Sequence, residues 1–170
     1  TLIEFVWDGK FPKKRNWTLM HQSFETEWVL FLDADEHVTP EFCQELRQIL
    51  AVTDNVGFWI TYTNYFLDRE LKYGLPQRKL ALFRVGAGLY ERIDEDNWSH
   101  LDMEVHEHPV LTGPVGTLKA RIDHRDFQGI SKFLQRHVEY ARWEAQRFLK
   151  LVADTGEESL HLSDRQRTKY

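Results

Sequence analysis

The chain has 170 residues and a formal net charge of −5, with 42% hydrophobic and 14% aromatic residues. That length suits one domain with a sizeable core, and the apolar content excludes a disordered chain. The acidic balance, with no long lysine or arginine block, argues against a general nucleic-acid binder, and no apolar run approaches the roughly 20 residues of a membrane span.

Thr1–Trp7 (TLIEFVW) has strand character, and Asp8-Gly9 closes it as a turn. Pro12 can open a helix in which Trp17, Met20 and Phe24 share one side. Lys13, Lys14 and Arg15 crowd its first turn, where the helix dipole disfavours cations unless an anion is bound nearby; the alternative is a solvated basic cluster. Trp28–Leu32 is an uninterrupted apolar run, the pattern of a short strand buried on both faces of a parallel sheet. It stops abruptly at Asp33, Asp35 and Glu36. Thr39 and Pro40 then read as N-cap and first residue of a helix whose buried stripe is Phe42, Leu46, Ile49 and Leu50. The lone Cys43 falls in that helix and cannot form an internal disulfide, which fits a reducing, cytosolic setting. The β-α-β-α order predicts an α/β layered domain.

Asn55–Phe66 and Arg78–Arg84 read as further strands, and Val85–Asn97 as a loop loosened by Gly86 and Gly88. His100–Pro109 gathers His100, His106 and His108 with Asp102, Glu104 and Glu107. Gly113–Gly116 is a turn and Thr117–Ile122 a strand that ends at Asp123-His124. Ile130–Val152 has apolar residues at a 3.6-residue period and reads as an amphipathic helix over residues 130–152; from Asp154 the chain is a polar tail, 154–170.

In open α/β sheets, ligands bind beyond the carboxyl ends of the strands. Two carboxylates one residue apart at such an end, Asp33 and Asp35, can turn toward a hard divalent cation; Mg²⁺ is commonly held by one or two carboxylates plus substrate phosphates. His106 and His108 would share a face on a strand, but no HExxH or cysteine pair supports a zinc centre. A His-x-Asp pair at His124 and Asp126 could serve non-haem iron, which leaves the acidic end at Asp33 unexplained.

The ordered set Arg15-Asn16, Asp33-Ala34-Asp35-Glu36, Leu80–Arg84, Gly88, Tyr90, Val105-His106-Glu107, Gly113, Gly116, Leu118, Ala120, Ile122 and His124 resembles the family 2 glycosyltransferases of the GT-A fold. The closest resemblance is to bacterial members that build cell-surface polysaccharide and the lipopolysaccharide core. It covers most of residues 5–145. It implies an α/β fold with a Rossmann-related mixed sheet flanked by helices, and inverting transfer of a sugar from a nucleotide-diphosphate donor to a glycan or lipid-linked acceptor. It further implies Mg²⁺ or Mn²⁺ held by Asp33, Asp35 and His124, a nucleotide-sugar site including Arg15, Asn16, Asp33, Ala34, Asp35 and Arg84, and Glu107 as general base with Glu104 as its rival. Lys14, Arg15, Lys79 and Arg84 could touch the phosphates, although Lys14 and Lys79 read more simply as surface charges.

The family's opening β-α-β segment, which carries nucleobase contacts, has no counterpart before Asp8, so residues 1–153 are expected to be a partial catalytic domain. A haloacid-dehalogenase-like phosphotransferase also places Asp-x-Asp after a buried strand, but needs Thr or Val where His37 stands. A third reading is an inactive fragment acting as a binding module. Lys132, Arg136, Arg142, Arg147 and Lys150 suggest a peripheral contact with anionic lipid, at the inner face of a membrane, as an alternative to plain helix–sheet packing.

Overall fold

A computed structural model of the chain describes residues 2–8, 10–74, 77–92, 108–126 and 128–155. These residues form a mixed α/β structure with three helices: α1 (Lys14–His21), α2 (Pro40–Ile49) and α3 (Gly129–Thr155). The strands are β1 (Trp28–Leu30), β2 (Glu36–His37), β3 (Gly57–Phe66), β4 (Arg69–Glu70), β5 (Arg78–Arg84), β6 (Gly88–Tyr90), β7 (Pro109–Leu111) and β8 (Val115–Asp126). They fall into two compact units, one taking in everything through Gly129 and the other beginning at Ile130.

The main sheet has the order β1-β5-β3-β8-β2, with β4 folded back on β3; β6 and β7 form a separate ribbon. Pairing is antiparallel throughout except between β3 and β8. The sheet is mixed, as expected, but β1, whose apolar run suggested a strand of a parallel sheet, pairs antiparallel with β5. Because β5 is antiparallel to both β1 and β3, however, β1, β3 and β8 all run the same way. Residues 31–35 link β1 at one edge to β2 at the other, so the sheet must curl at the end where those three strands terminate.

The strand buried on both faces is β5, whose Leu80, Ala81, Leu82 and Phe83 are all buried. β1 is a three-residue edge strand of half-buried residues, and Leu32 beyond it is exposed. The apolar run there covers the edge of the sheet and does not thread its centre. One face of the sheet packs Phe58, Ile60, Tyr62, Leu82, Leu118 and Ile122 against Phe42 of α2, with Leu46, Ile49 and Leu50 alongside. On α2 the expected cap is present: the Thr39 hydroxyl accepts from the Phe42 N–H at 3.1 Å, and Pro40 occupies the first turn. Elsewhere Phe31, Phe83 and Tyr90 cluster, with ring centroids 5.7–6.0 Å apart.

Residues 2–8 form no strand, although their composition predicts one; Leu2 and Val6 are exposed and no neighbouring strand pairs with them among the described residues. The loop expected over Val85–Asn97 contains β6, where a side chain at Gly88 would collide with the Val110 carbonyl of β7. The strand expected over 117–122 extends to Val115–Asp126 and carries a bulge: Trp59 lies beside Thr117 but Thr61 beside Arg121. Glu45 of α2 fills the gap, accepting from the Lys119 N–H at 2.9 Å and the Ala120 N–H at 2.7 Å. α3 matches the expected helix; along it Trp143 is buried while Ile130, Leu134, Val138, Phe148 and Leu149 are exposed.

Candidate functional site

The Asp-Ala-Asp-Glu stretch makes a tight turn: the Glu36 N–H donates to the Asp33 carbonyl at 3.0 Å, and the Asp33 N–H donates back to Glu36 Oε2 at 3.1 Å. The Arg125 N–H holds the Asp35 carbonyl at 2.9 Å, fastening the turn to the end of β8. Asp33 follows β1, while Asn64 and His124 lie side by side in the last third of β3 and β8. All three therefore stand at carboxyl ends of strands running the same way, the place where α/β sheets bind ligands.

Two cations converge on Asp33. Arg15, from the first turn of α1, donates to Oδ1 at 2.9 Å, and Lys79, from β5, donates to Oδ2 at 2.7 Å. Lys79 also donates to Glu36 Oε1 at 2.5 Å, and the Glu36 side chain is only 1% exposed. Burial alone would raise the pKa of Asp33, but Lys79 and Arg15 outweigh it and hold the carboxyl below its usual range. Burial likewise works against the charge on Lys79, and Asp33 and Glu36 reverse it, raising the ammonium's pKa. Tyr62, beneath the Lys79 ammonium at 5.4 Å from the ring centroid, has its pKa pushed up by burial and by the carboxylates of Glu36 and Asp33, and stays protonated. Its buried hydroxyl stands close to Glu36, yet no contact to it among the described residues has hydrogen-bond geometry.

On the other side of the turn, His124 Nε2 lies 3.5 Å from Asp35 Oδ2. His124 Nδ1 is 3.0 Å from Asn64 Oδ1. In the tautomer that donates from Nδ1 to that oxygen, Nε2 is the ring nitrogen left facing Asp35, and there it could ligate a metal while the other nitrogen is held in place. Neighbouring ligands of an octahedral Mg²⁺ with bonds near 2.1 Å stand about 3 Å apart, so the Asp35–His124 spacing is close to what one cation needs. Asp33 Oδ1 and Oδ2 are both engaged by Arg15 and Lys79. Among the described residues no group of three or more His, Cys, Asp or Glu side chains is gathered as a ready-made metal cage. Asp35 and His124 are thus two donors that one divalent cation could share, while both carboxylate oxygens of Asp33 are committed to Arg15 and Lys79.

Several expected residues stand elsewhere. Asn16 is 2% exposed, and its amide is committed to the backbone of Tyr90: Nδ2 donates to the carbonyl at 3.0 Å, and Oδ1 accepts from the N–H at 2.8 Å. It pins α1 to β6. Arg84 is paired with Glu27 at 2.9 Å and stacked on Trp28 at 4.7 Å. That is the far end of β1 from Asp33, about 16 Å away along an extended chain, so the structure does not bring Arg84 to the site. Ala34 is exposed at the tip of the turn. Glu104, His106 and Glu107 lie outside the described residues; His108, at the edge of that segment, is 3.9 Å from Glu91.

Lys79, read from the sequence as a surface charge more simply than as a phosphate contact, belongs to the site, as does Glu36, for which the sequence suggests no role. In the β1–β5 register Trp28, Val29 and Leu30 lie across from Arg84, Phe83 and Leu82; continued beyond the ladder, it sets Asp33 across from Lys79. An antiparallel pairing of WVLFLD with RKLALFR would have exposed the cross-strand charge pair.

No known protein family's sequence model matches the chain, and a search of curated proteins finds no match. Among the described residues no helix is long and apolar enough to cross a membrane.

Proposed function

We propose that this chain carries the metal- and diphosphate-binding part of an inverting glycosyltransferase. It would move a sugar from a nucleotide-diphosphate donor to a glycan or lipid-linked acceptor in cell-envelope polysaccharide synthesis, on the cytoplasmic side. The observation that carries the reading is the acidic turn itself. Asp33 and Asp35 lie in the turn between β1 and β2, at the end where β1, β3 and β8 all terminate, flanked by Arg15 and Lys79 on one side and by Nε2 of His124 on the other. A family 2 glycosyltransferase of the GT-A fold is the family whose motif order the sequence resembles.

In this reading Asp35, His124 and Asp33 would hold Mg²⁺ or Mn²⁺, which when bound would supply Lewis-acid stabilisation of the negative charge that grows on the departing diphosphate. Arg15 lies at the same turn, fixed to the strand frame because its neighbour Asn16 is bonded to Tyr90. The acceptor hydroxyl oxygen forms a bond to the anomeric carbon as the bond from that carbon to the diphosphate breaks. The hydroxyl proton passes to a carboxylate, for which the motif order nominates Glu107.

The test is release of nucleoside diphosphate from a panel of nucleotide sugars, with Mn²⁺ and with EDTA. Release that requires Mn²⁺ and falls at least a hundredfold in Asp35→Ala and Asp33→Ala is expected. Release that is indifferent to EDTA, or as fast in both variants as in the wild type, would refute the proposal.

A further inference from the structure

The best-built feature of the site is one that metal binding alone does not explain: a lysine anchored from below by a buried glutamate. Glu36 has almost no solvent contact, yet it is well partnered, accepting from Lys79 Nζ at 2.5 Å and from the Asp33 N–H at 3.1 Å. An ammonium has three donors and no acceptor. Two of those on Lys79 reach Glu36 and Asp33, and its side chain remains 27% exposed beside a 44% exposed Asp33. The partner below is fixed and the partner above is open to solvent.

Charge balance sharpens this. Arg15 and Lys79 together with Asp33, Asp35 and Glu36 leave one net negative charge, which a divalent cation at Asp35 turns into one net positive charge. A cation drawing Asp33 toward itself would also take that carboxylate from Lys79. The exposed ammonium would then face an empty partner position next to the metal, where a phosphate oxygen completes both shells. The buried hydroxyl of Tyr62, beside Glu36 and without a hydrogen bond of its own among the described residues, can take up the Glu36 oxygen if Nζ shifts outward.

We propose that Lys79 is the diphosphate-binding cation of this site, that Glu36 is the residue that positions it, and that Asp33 holds the place of the anion until metal and diphosphate arrive. The assignment deepens the transferase reading and rests on it for the identity of the anion. Lys79 and a bound metal compete for Asp33, so removing Lys79 has opposite effects on the two ligands. That is a signature that loss of a merely structural ion pair would not produce.

The experiment uses the full chain with Mn²⁺ and inorganic pyrophosphate, a probe that needs no knowledge of the base or sugar. Mn²⁺ affinity is read by the electron paramagnetic resonance of free Mn²⁺, and pyrophosphate affinity by calorimetry at saturating Mn²⁺. Lys79→Met is expected to weaken pyrophosphate at least tenfold while Mn²⁺ alone binds as well as or better than before, and Lys79→Arg to recover most of the loss. Since Lys79→Met leaves Glu36 as a buried charge, the pair variant Lys79→Met/Glu36→Gln, which removes both charges, serves as the control for folding. It is expected to bind pyrophosphate as weakly as Lys79→Met. Wild-type pyrophosphate affinity in a folded Lys79→Met or in the pair variant would overturn the assignment, as would parallel loss of both ligands that the pair variant restores. If wild type binds no Mn²⁺, the transferase reading fails on its own; pyrophosphate titrated without metal then decides Lys79 separately, and equal binding by wild type and Lys79→Met overturns it.

Discussion

Asn16→Ala is the substitution whose effect the structure determines most fully. Tyr90 is buried, and as part of β6 it pairs with β7 on one side only; its N–H and C=O on the other side are satisfied by the two ends of the Asn16 amide. Asn16 does for that edge what a further strand would do, donating to one group and accepting from the other. Alanine removes the partner that Asn16 gives to each of these two backbone groups. Each buried orphan costs about 1–3 kcal/mol, and some water can enter the space left by the amide, so a total loss of about 3 kcal/mol is expected. For a chain of this length that lowers Tm by roughly 6–12 °C. Urea unfolding followed by tryptophan fluorescence measures it. Asn16→Asp should be no better, because a carboxylate still accepts from the N–H but faces the Tyr90 carbonyl with no donor. A loss below about 0.5 kcal/mol, the size of an ordinary surface substitution, would refute the reasoning. A substrate-contacting asparagine would instead show unchanged stability with weakened ligand binding.

Three further outcomes follow from the same contacts. Glu45→Ala strips the bulge in β8 of its acceptor for the Lys119 and Ala120 N–H groups, and should cost about 2 kcal/mol by urea denaturation, against a few tenths for the neighbouring Gln44→Ala. Asn64→Leu removes the acceptor that fixes the His124 tautomer and should weaken Mn²⁺ binding by about 10–100-fold, with the far-ultraviolet circular dichroism unchanged. The pH dependence has two limbs. The lowered pKa of Asp33 gives stability that is present above the unfolded carboxylate value and lost as pH falls through the folded one, below about pH 4. The raised pKa of Lys79 gives stability that is present below the unfolded lysine value and lost as pH rises through the folded one, above about pH 10. Asp33→Asn should therefore lose less stability than wild type between about pH 5 and pH 3, and equal losses would contradict the ion pairing.

What could be read from the sequence was what depends on neighbours in the chain. The Thr39-Pro40 start of α2, the strands around 57–66 and 78–84, and the acidic turn after WVLFL all follow from residues within a few positions of each other. What could not be read depends on pairing across the fold. The apolar run at 28–32 suits a central strand equally well, and only the sheet order shows that it lies at the edge. Lys79 and Arg84 look alike in RKLALFR; the antiparallel register alone sends the first to Asp33 and the second to Glu27 and Trp28. The resemblance assigns Asn16 to the nucleotide-sugar site, and the strand whose backbone it holds lies 74 residues away.

The central claim, that the turn at Asp33–Glu36 gathers a divalent cation with a diphosphate, is tested most directly by pulsed electron paramagnetic resonance of Mn²⁺ bound to the chain with UDP. The account predicts ³¹P coupling from the diphosphate together with ¹⁴N coupling from one imidazole, the latter lost in His124→Ala and the whole signal lost in Asp35→Ala. A Mn²⁺ spectrum with no ¹⁴N coupling, or one unchanged in Asp35→Ala, would contradict it.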